Sequence, residues 1–473
     1  MDHQNGRVIP GIHLDRAAAT PLPDQLAHGL RLAIVTGALR GGDPLPSTRA
    51  LAADLGVARG TVVAAYETLS GEGYLDARTG VGTVVAALPA TAMPRPPLPV
   101  AASPRVVPVE VDLRPGRPGV RGLADAAWRS AWRRATSLDP AAGPGEPAGL
   151  PDLREQIARH LHRTRGLDVP ADDVIVAAGT SEAMLLTVSA LAPRGGRLRI
   201  GIENPGYPRV RRVLYRWGAE TVPIPVRFEG GIDLEALEAR DDLDAVVVTP
   251  HHHYPLGSRL DAADRARLLA WSARTGAVVI EDDYDSEFPH GRVPLPPLRL
   301  HDPARTVLVG SFSKVLTPAL RCGWVVASGD LREALLDARS DLDMPVSLVQ
   351  QQALAFFLAG GALPRHVARR RREYRHRRRL LLDAFAELDG VSLAATDGGL
   401  HAVVLFDGRR RGDESAVVAQ LAARGIRVSP LSSYDVPGEP VAHAPGIVFG
   451  YAEPSSVVFA DAVATLVQVL SMR

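Results

Sequence analysis

The chain has 473 residues, of which 46% are hydrophobic and 23% charged, the balance of a water-soluble globular protein long enough for two or three domains. A net charge of +1 gives no global argument for nucleic acid or membrane, and the single cysteine, Cys322, excludes an internal disulfide framework and a cysteine-rich zinc site. Met1-Asp2-His3-Gln4-Asn5-Gly6 lacks a basic, then apolar, signal pattern, and no apolar run approaches the ~18 residues of a membrane span, so the expected location is the cytoplasm.

Pro21 to Glu72 reads as three helices. In the first, Leu22, Leu26, Leu30 and Ala33 recur at helical spacing until about Gly37. Ser47 then caps Thr48 to Leu55, which Gly56 stops. The third runs from Arg59 to Glu72, with Val62, Tyr66 and Leu69 inward; Ala58 gives it only a weak N-cap. Tyr74–Ala77 and Gly82–Val85 flank Arg78-Thr79-Gly80-Val81 as a hairpin. Helix, short turn, helix, hairpin is a winged helix-turn-helix, whose third helix enters the major groove of double-stranded DNA. Arg59, Gly60 and Thr61 lead that helix, Arg49 faces a phosphate or base, and Arg78 and Gly80 sit in the wing. Seven arginines stand against eight acids through Val85, so affinity for phosphates depends on clustering and on salt.

Prolines at 89, 94, 96, 97, 99, 104 and 108 make the next stretch an extended spacer, a reach across a dimer or a passive tether. The expected division is 12–86 for the DNA-binding domain, 87–110 for the linker and 111–473 for a large domain.

The large domain alternates helical patterns with short apolar strands at Asp173–Ala177, Arg197–Ile202, Ala245–Thr249, Ala277–Glu281, Thr306–Gly310 and Gly323–Ala327, the signature of an α/β fold with a mainly parallel sheet. Ligands of such sheets collect where strands run into loops. After the first strand, Gly179, Thr180 and Ser181 open a helix, which is a phosphate seat or simple N-capping. After the second comes Glu203-Asn204-Pro205-Gly206-Tyr207-Pro208-Arg209. After the third, His251, His252 and His253 invite a metal reading, but neighbouring residues point in different directions and no ligand partner lies at the right spacing; no metal is expected. After the fourth, Asp282, Asp283, Tyr284 and Asp285 follow a buried strand. After the fifth, Ser311-Phe312-Ser313-Lys314 leads to Arg321 and Gly323. Lys314 is the only lysine among 54 basic residues, and arginine replaces lysine as a charge but not as a nucleophilic amine. Later, the helical stretch Ser347–Leu388 carries eight arginines between Arg369 and Arg379; a solvated helix face is favoured there over contact with phosphates.

Leu45-Pro46-Ser47-Thr48-Arg49 … Arg59-Gly60-Thr61-Val62 … Glu72-Gly73-Tyr74-Leu75 … Gly80-Val81-Gly82-Thr83 resembles the GntR family of bacterial transcription regulators. The Lys314 loop resembles that of fold-type I pyridoxal 5'-phosphate (PLP) enzymes, the aspartate aminotransferase superfamily. Thr249-Pro250-His251-His252-His253-Tyr254-Pro255-Leu256-Gly257, Gly398-Gly399-Leu400-His401 and Val428-Ser429-Pro430-Leu431-Ser432 resemble the MocR subfamily, which joins the two. The resemblance implies an α/β fold: an N-terminal winged helix-turn-helix, then a fold-type I PLP-dependent transferase-like domain with a mainly parallel sheet and a small C-terminal α+β subdomain. It implies that Lys314 forms a Schiff base with PLP. By the same resemblance Gly179, Thr180, Ser181, Ser311, Ser313 and Arg321 hold the phosphate, Tyr207 stacks on the ring, Asp282 meets the pyridine nitrogen and Tyr284 the ring oxygen. Arg209 points toward an effector carboxylate. Two departures stand out. No arginine occurs between Arg427 and Arg473, where many aminotransferases bind a carboxylate, and Pro144 stands where a tyrosine reaching the neighbouring subunit is usual. The expected function is a homodimeric, DNA-binding regulator that senses PLP or its adduct with a small amine or amino acid and controls vitamin B6 or amino-compound metabolism. The alternative is a working aminotransferase with an accessory DNA-binding module.

Overall fold

The computed structural model describes residues 12, 14–78, 82–87, 111–143, 145–191, 196–291, 295–343, 346–407, 414–440 and 443–471, the side chain of Arg78 excepted. The chain divides into two compact units, Met1–Val106 and Val107–Arg473. The linker prolines from 89 to 108, Gly80 and Pro144 lie outside the described residues.

The first unit packs α1 (Leu22–Val35), α2 (Thr48–Leu55) and α3 (Arg59–Gly71) with a hairpin of β1 (Leu75–Arg78) and β2 (Gly82–Val85). Ser47 Oγ accepts the Ala50 amide at 3.2 Å, and Gly56 closes α2 at φ 64°, where a side chain would be strained. α3 starts without a side-chain cap, as its Ala58 leads one to expect. Leu26, Leu30, Leu51, Val62, Leu69, Leu75 and Val85 form the core, with Tyr66 anchored through its hydroxyl to Pro46 O at 2.9 Å. In α1 the last inward position is Ile34, not Ala33, since the longer side chain reaches the core from the next position round.

In the second unit, β3 (Val111–Asp112) is followed by α4 (Ala126–Thr136) and α5 (Pro151–Arg165). Then come β4 (Val174–Ala177), α6 (Thr180–Ala190), β5 (Arg199–Asn204), α7 (Pro208–Arg216), β6 (Glu220–Arg227), β7 (Gly231–Ile232), β8 (Ala245–Val248), β9 (Val278–Asp283), β10 (Thr306–Ser311) and β11 (Gly323–Val326). The sheet order is β4-β11-β10-β9-β8-β5-β6-β7. β10, β9, β8, β5 and β6 run parallel, while β11 inserts antiparallel between β10 and β4. Both faces are covered, so β4, β8 and β10 are buried at every position. A smaller antiparallel sheet joins β12 (Val391–Ala394), β13 (His401–Phe406), β15 (Ser429–Pro430) and β16 (Gly446–Gly450), while β14 (Ile426–Arg427) pairs with β3. The sequence reading has no strand at β6, which contains Pro223 and Pro225, residues that donate nothing to a ladder.

The arginine-rich helix is not a simple solvated face. In Ala362–Phe385, Arg370 and Arg377 are buried, and five of the eight arginines donate to backbone carbonyls: Arg369 to Gly122, Arg370 to Arg121, Arg371 to Glu287, Arg377 to Tyr451 and Ala452, and Arg378 to Thr396. The helix packs against loop ends whose carbonyls need donors, and a guanidinium supplies several. Arg372, Arg375 and Arg379 stay exposed.

Candidate functional site

The loops at the C-terminal ends of the parallel strands surround a cavity of about 230 Å³. Thr180, Ser181, Tyr207, Arg209, Asp282, Tyr284, Ser311, Ser313, Lys314 and Arg321 all line it, drawn from segments up to 141 residues apart in sequence. Gly179 stands just behind: at φ 83° it leaves α6 without a side chain there, and a Cβ would lie 3.7 Å from the Arg321 guanidinium.

One corner is built for an anion. Thr180 and Ser181 occupy the first turn of α6, where amides and dipole favour negative charge. Ser311 Oγ donates to Ser313 Oγ at 2.8 Å and accepts the Ser313 amide at 3.1 Å, holding both hydroxyls on one loop. Arg321 sits in the left-handed region at φ 46°, and no hydrogen bond or ion pair engages its guanidinium among the described residues.

The lining also carries a buried carboxyl group and the lysine. Asp282 is buried, and burial, with Asp283 adding to it, pushes its carboxyl up to about 7. Its Oδ1 has no hydrogen-bond partner among the described residues, so the cavity wall carries an acceptor waiting for a donor. Glu203 is pushed up to about 7 by burial while accepting the Thr249 amide and hydroxyl at 3.0 and 2.6 Å. Lys314 is half-buried by exposed area, yet its amine is packed round with protein and donates to Gly116 O at 3.0 Å. Burial lowers its proton affinity; Asp285 and Asp282 oppose this and Arg209 adds to it. An amine so placed loses its proton more readily, the condition for nucleophilic attack on an aldehyde. Tyr207, 41% exposed, stands at the mouth edge-on to Tyr254, with ring centroids 5.6 Å apart. Tyr284 donates its hydroxyl to His252 O at 2.9 Å.

The adjacent acids separate as the strand geometry requires. Asp283 turns away to Arg165 at 2.8 Å, and Asp285 meets His252 Nδ1 at 2.9 Å. The three histidines diverge too: His253 Nε2 meets Pro205 O at 3.1 Å, while His252 groups with Asp285 and His401, their donor atoms within 4.8 Å of one another. Gly116, which holds the lysine amine, and the Tyr254–Tyr434 hydroxyl contact at 3.1 Å were not singled out in the sequence, since neither sits in a motif that names its partner.

In the first unit, Arg49, Arg59 and Gly60 are exposed and Thr61 is half-buried. Arg59 Nε donates to Thr48 Oγ1 at 3.3 Å, which ties the start of α3 to α2. The uncapped end of α3 leaves its first amides available to a phosphate. Arg78 ends β1.

A winged helix-turn-helix on one unit, and on the other a parallel sheet whose loops gather a lysine, a buried carboxylate and an anion corner, define a regulator built on an aminotransferase frame. The chain belongs to the MocR subfamily of GntR-type transcriptional regulators. Residues 22–85 match the gntR family of bacterial regulatory proteins, and residues 120–440 match aminotransferase class I and II. The chain is 42% identical to the HTH-type pyridoxine biosynthesis transcriptional regulator PdxR of Corynebacterium glutamicum, over 89% of this chain and 91% of that one. It is 33% identical to the probable rhizopine catabolism regulatory protein MocR of Rhizobium meliloti, over 93% and 92%. An archaeal alanine:glyoxylate aminotransferase structure shares the fold of the large unit, with a TM-score of 0.69 at 19% identity, over 78% of this chain and 92% of that one. The protein is thus a DNA-binding transcriptional regulator of the MocR type, and no helix among the described residues is long and apolar enough to cross a membrane.

Proposed function

We propose that this regulator binds PLP at Lys314 and changes its affinity for a repeated DNA operator when PLP, or PLP carrying a small amine, occupies the site. The observation that carries the reading is the lone lysine amine in the same cavity as the partnerless Asp282 Oδ1 and the unengaged Arg321 guanidinium. PLP has an aldehyde, a ring nitrogen and a phosphate, and the three groups match those three needs. When bound, it supplies an electrophilic carbon to the lysine and a ring that withdraws electrons.

In this reading Asp282 holds a proton on the ring nitrogen, Tyr207 covers the ring face and Tyr284 serves the ring oxygen. Thr180, Ser181, Ser311, Ser313 and Arg321 hold the phosphate, with Gly179 keeping the turn open. Arg209 receives an effector carboxylate. Arg49, Arg59, Gly60, Thr61, Arg78 and Gly80 meet the operator, and a homodimer supplies two reading heads. The name of the Corynebacterium relative and the apolar, buried β16 strand, which offers no carboxylate-binding arginine, both favour control of vitamin B6 supply. The acid and lysine would serve turnover equally, so a working aminotransferase is the second reading.

One experiment tests the proposal: absorbance near ~420 nm and operator binding, with and without PLP, for the wild type and Lys314→Ala. We expect an absorbance band and a PLP-dependent affinity in the wild type only, and borohydride to fix the cofactor on Lys314. If Lys314→Ala responds to PLP like the wild type, the reading fails; sustained exchange of an amino donor with a keto acid would establish the second one.

A further inference from the structure

Behind the cavity lies a buried group that the proposed cofactor contacts leave out. Asp285 is 2% exposed, and its Oδ2 lies 2.9 Å from His252 Nδ1; His252 is 3% exposed. The same histidine takes the Tyr284 hydroxyl on its backbone carbonyl at 2.9 Å, with the hydroxyl 3.1 Å from Nδ1. Tyr284 is a wall of the cavity, so His252 and Asp285 are its support from behind.

The C-terminal subdomain closes on this pair without any gap. Gly399, at φ 69°, lies so close that a Cβ would come 2.2 Å from Asp285 Oδ2 and 2.7 Å from His252 Cε1. At Gly398 a Cβ would stand 3.4 Å from the other edge of the same imidazole. The turn is pinned from both sides: the Gly399 amide donates to Phe288 O at 2.9 Å, and Tyr451 donates its hydroxyl to Gly399 O at 2.7 Å. Gly399 here has a steric reason, since any side chain at 399 would displace the carboxylate or the imidazole.

We propose that Asp285 and His252 are positioning residues that set the Tyr284 phenol and hold negative charge beside Lys314, and that the Gly398-Gly399 turn is shaped to lock this pair to the C-terminal subdomain. The inference rests on PLP binding at Lys314. It makes the ring side of the cavity and the C-terminal subdomain one mechanical piece, so that a change at the ring is felt at β13 and β16.

The titratable and charged neighbours of the pair all bear on its charge. His251 and His252 come from the loop after β8, Asp282, Asp283 and Tyr284 from β9 and its end, His290 from the loop after β9, His401 from β13, Tyr451 from the end of β16, and Lys314 from the loop after β10. Burial alone would raise Asp285, but its contact with His252 outweighs this and holds the carboxyl below its ordinary range.

The test is a pH titration of the cofactor–lysine absorbance in the full-length protein, for the wild type, Asp285→Asn and His252→Gln. Removing the buried charge that favours the protonated amine of Lys314 should lower the midpoint for protonation of the linkage by about one pH unit. His252→Gln should move it the same way, because an Asp285 without its imidazole partner is less ionised. Gly399→Ala, which keeps both side chains but displaces them, should also lower it. Absence of any band in the wild type would sink the PLP reading itself. A wild-type band with unchanged midpoints in whichever of these variants fold would overturn the positioning role alone. So would a stoichiometric divalent metal ion that is lost in His252→Gln, since His252, Asp285 and His401 would then be ligands.

Discussion

Arg321 holds a backbone conformation that costs an ordinary residue free energy. At φ 46° and ψ 52° it is left-handed, where a non-glycine residue is about 1–2 kcal/mol worse than in its preferred regions. Its side chain offers no compensation within the protein, because no hydrogen bond or ion pair engages the guanidinium among the described residues. Arg321→Gly therefore removes the strain and adds only the unfolded-chain entropy of glycine, about 0.5–1 kcal/mol. The apo protein should melt within about 2 °C of the wild type, or slightly above it. PLP binding should behave oppositely. Losing a charge-assisted hydrogen bond to the phosphate costs about 1.5–3 kcal/mol, and Arg321 is exposed, so the lower end applies: about a tenfold weaker affinity. The assay pairs thermal unfolding of apo protein with PLP titration at the ~420 nm band. An apo protein destabilised by more than about 2 kcal/mol that binds PLP normally would show that Arg321 serves folding, and the strain argument would fail.

Further outcomes follow from the same contacts. Burial depresses His251, His290 and His366 to about 4, and His253 and His401 to about 3, so these rings stay neutral in the folded apo protein while the unfolded chain takes up protons below pH 6.5. Their stabilising contribution is full above pH 6.5 and is lost as pH falls toward those values. Glu203, Glu281 and Asp282, raised to about 7, act in reverse and stabilise most at low pH, but the five histidines outnumber them. Denaturant midpoints should fall from pH 6.5 to 5, and a rise across that window would refute the balance. Arg165→Met leaves the buried Asp283 carboxylate unpaired and should cost about 3–5 kcal/mol in unfolding free energy; a loss under 1 kcal/mol would mean the pair is solvated. Arg59→Ala should weaken operator binding and reduce the slope of log affinity against log salt by about one, with the PLP band unchanged; an unaltered slope would place Arg59 away from the phosphates.

Local chemistry made much of this molecule readable. Ser47 and Gly56 bound α2 because a cap and a left-handed stop act within a few residues. Lys314 stood out because one residue type cannot do another's chemistry. The unread parts depend on distant partners. Pro223 and Pro225 argue against a strand, and the pairings with β5 and β7 make β6 one. Whether Arg370 and Arg377 meet water or the carbonyls of Arg121 and Tyr451 is decided by packing 249 and 74 residues away. Asp283 leaves the site for Arg165 and Asp285 turns to His252, partners that the acid-rich string itself gives no sign of.

In the proposed reading, Arg209 sets how much an amine can add to PLP. Among the described residues three cations line the cavity, Arg209, Lys314 and Arg321. If Lys314 takes the aldehyde and Arg321 the phosphate, one guanidinium remains for a carboxylate. β16 cannot supply a second: Gly446-Ile447-Val448-Phe449-Gly450 is apolar and buried throughout. A lone exposed guanidinium contributes about 1.5–3 kcal/mol to a charged hydrogen bond, so an amino acid should deepen the response to PLP by no more than about 10–100-fold. Arg209→Ala should leave the PLP response of operator binding in place and remove any dependence on the carboxylate of an added amino acid. It should also raise the proton affinity of Lys314, whose amine Arg209 now depresses, so PLP capture should need higher pH. Operator titrations with PLP alone, with PLP plus an amino acid and with PLP plus the matching amine lacking a carboxylate would show this. If the variant loses its response to PLP alone while still forming the Lys314 band, Arg209 belongs to the switch rather than to effector choice.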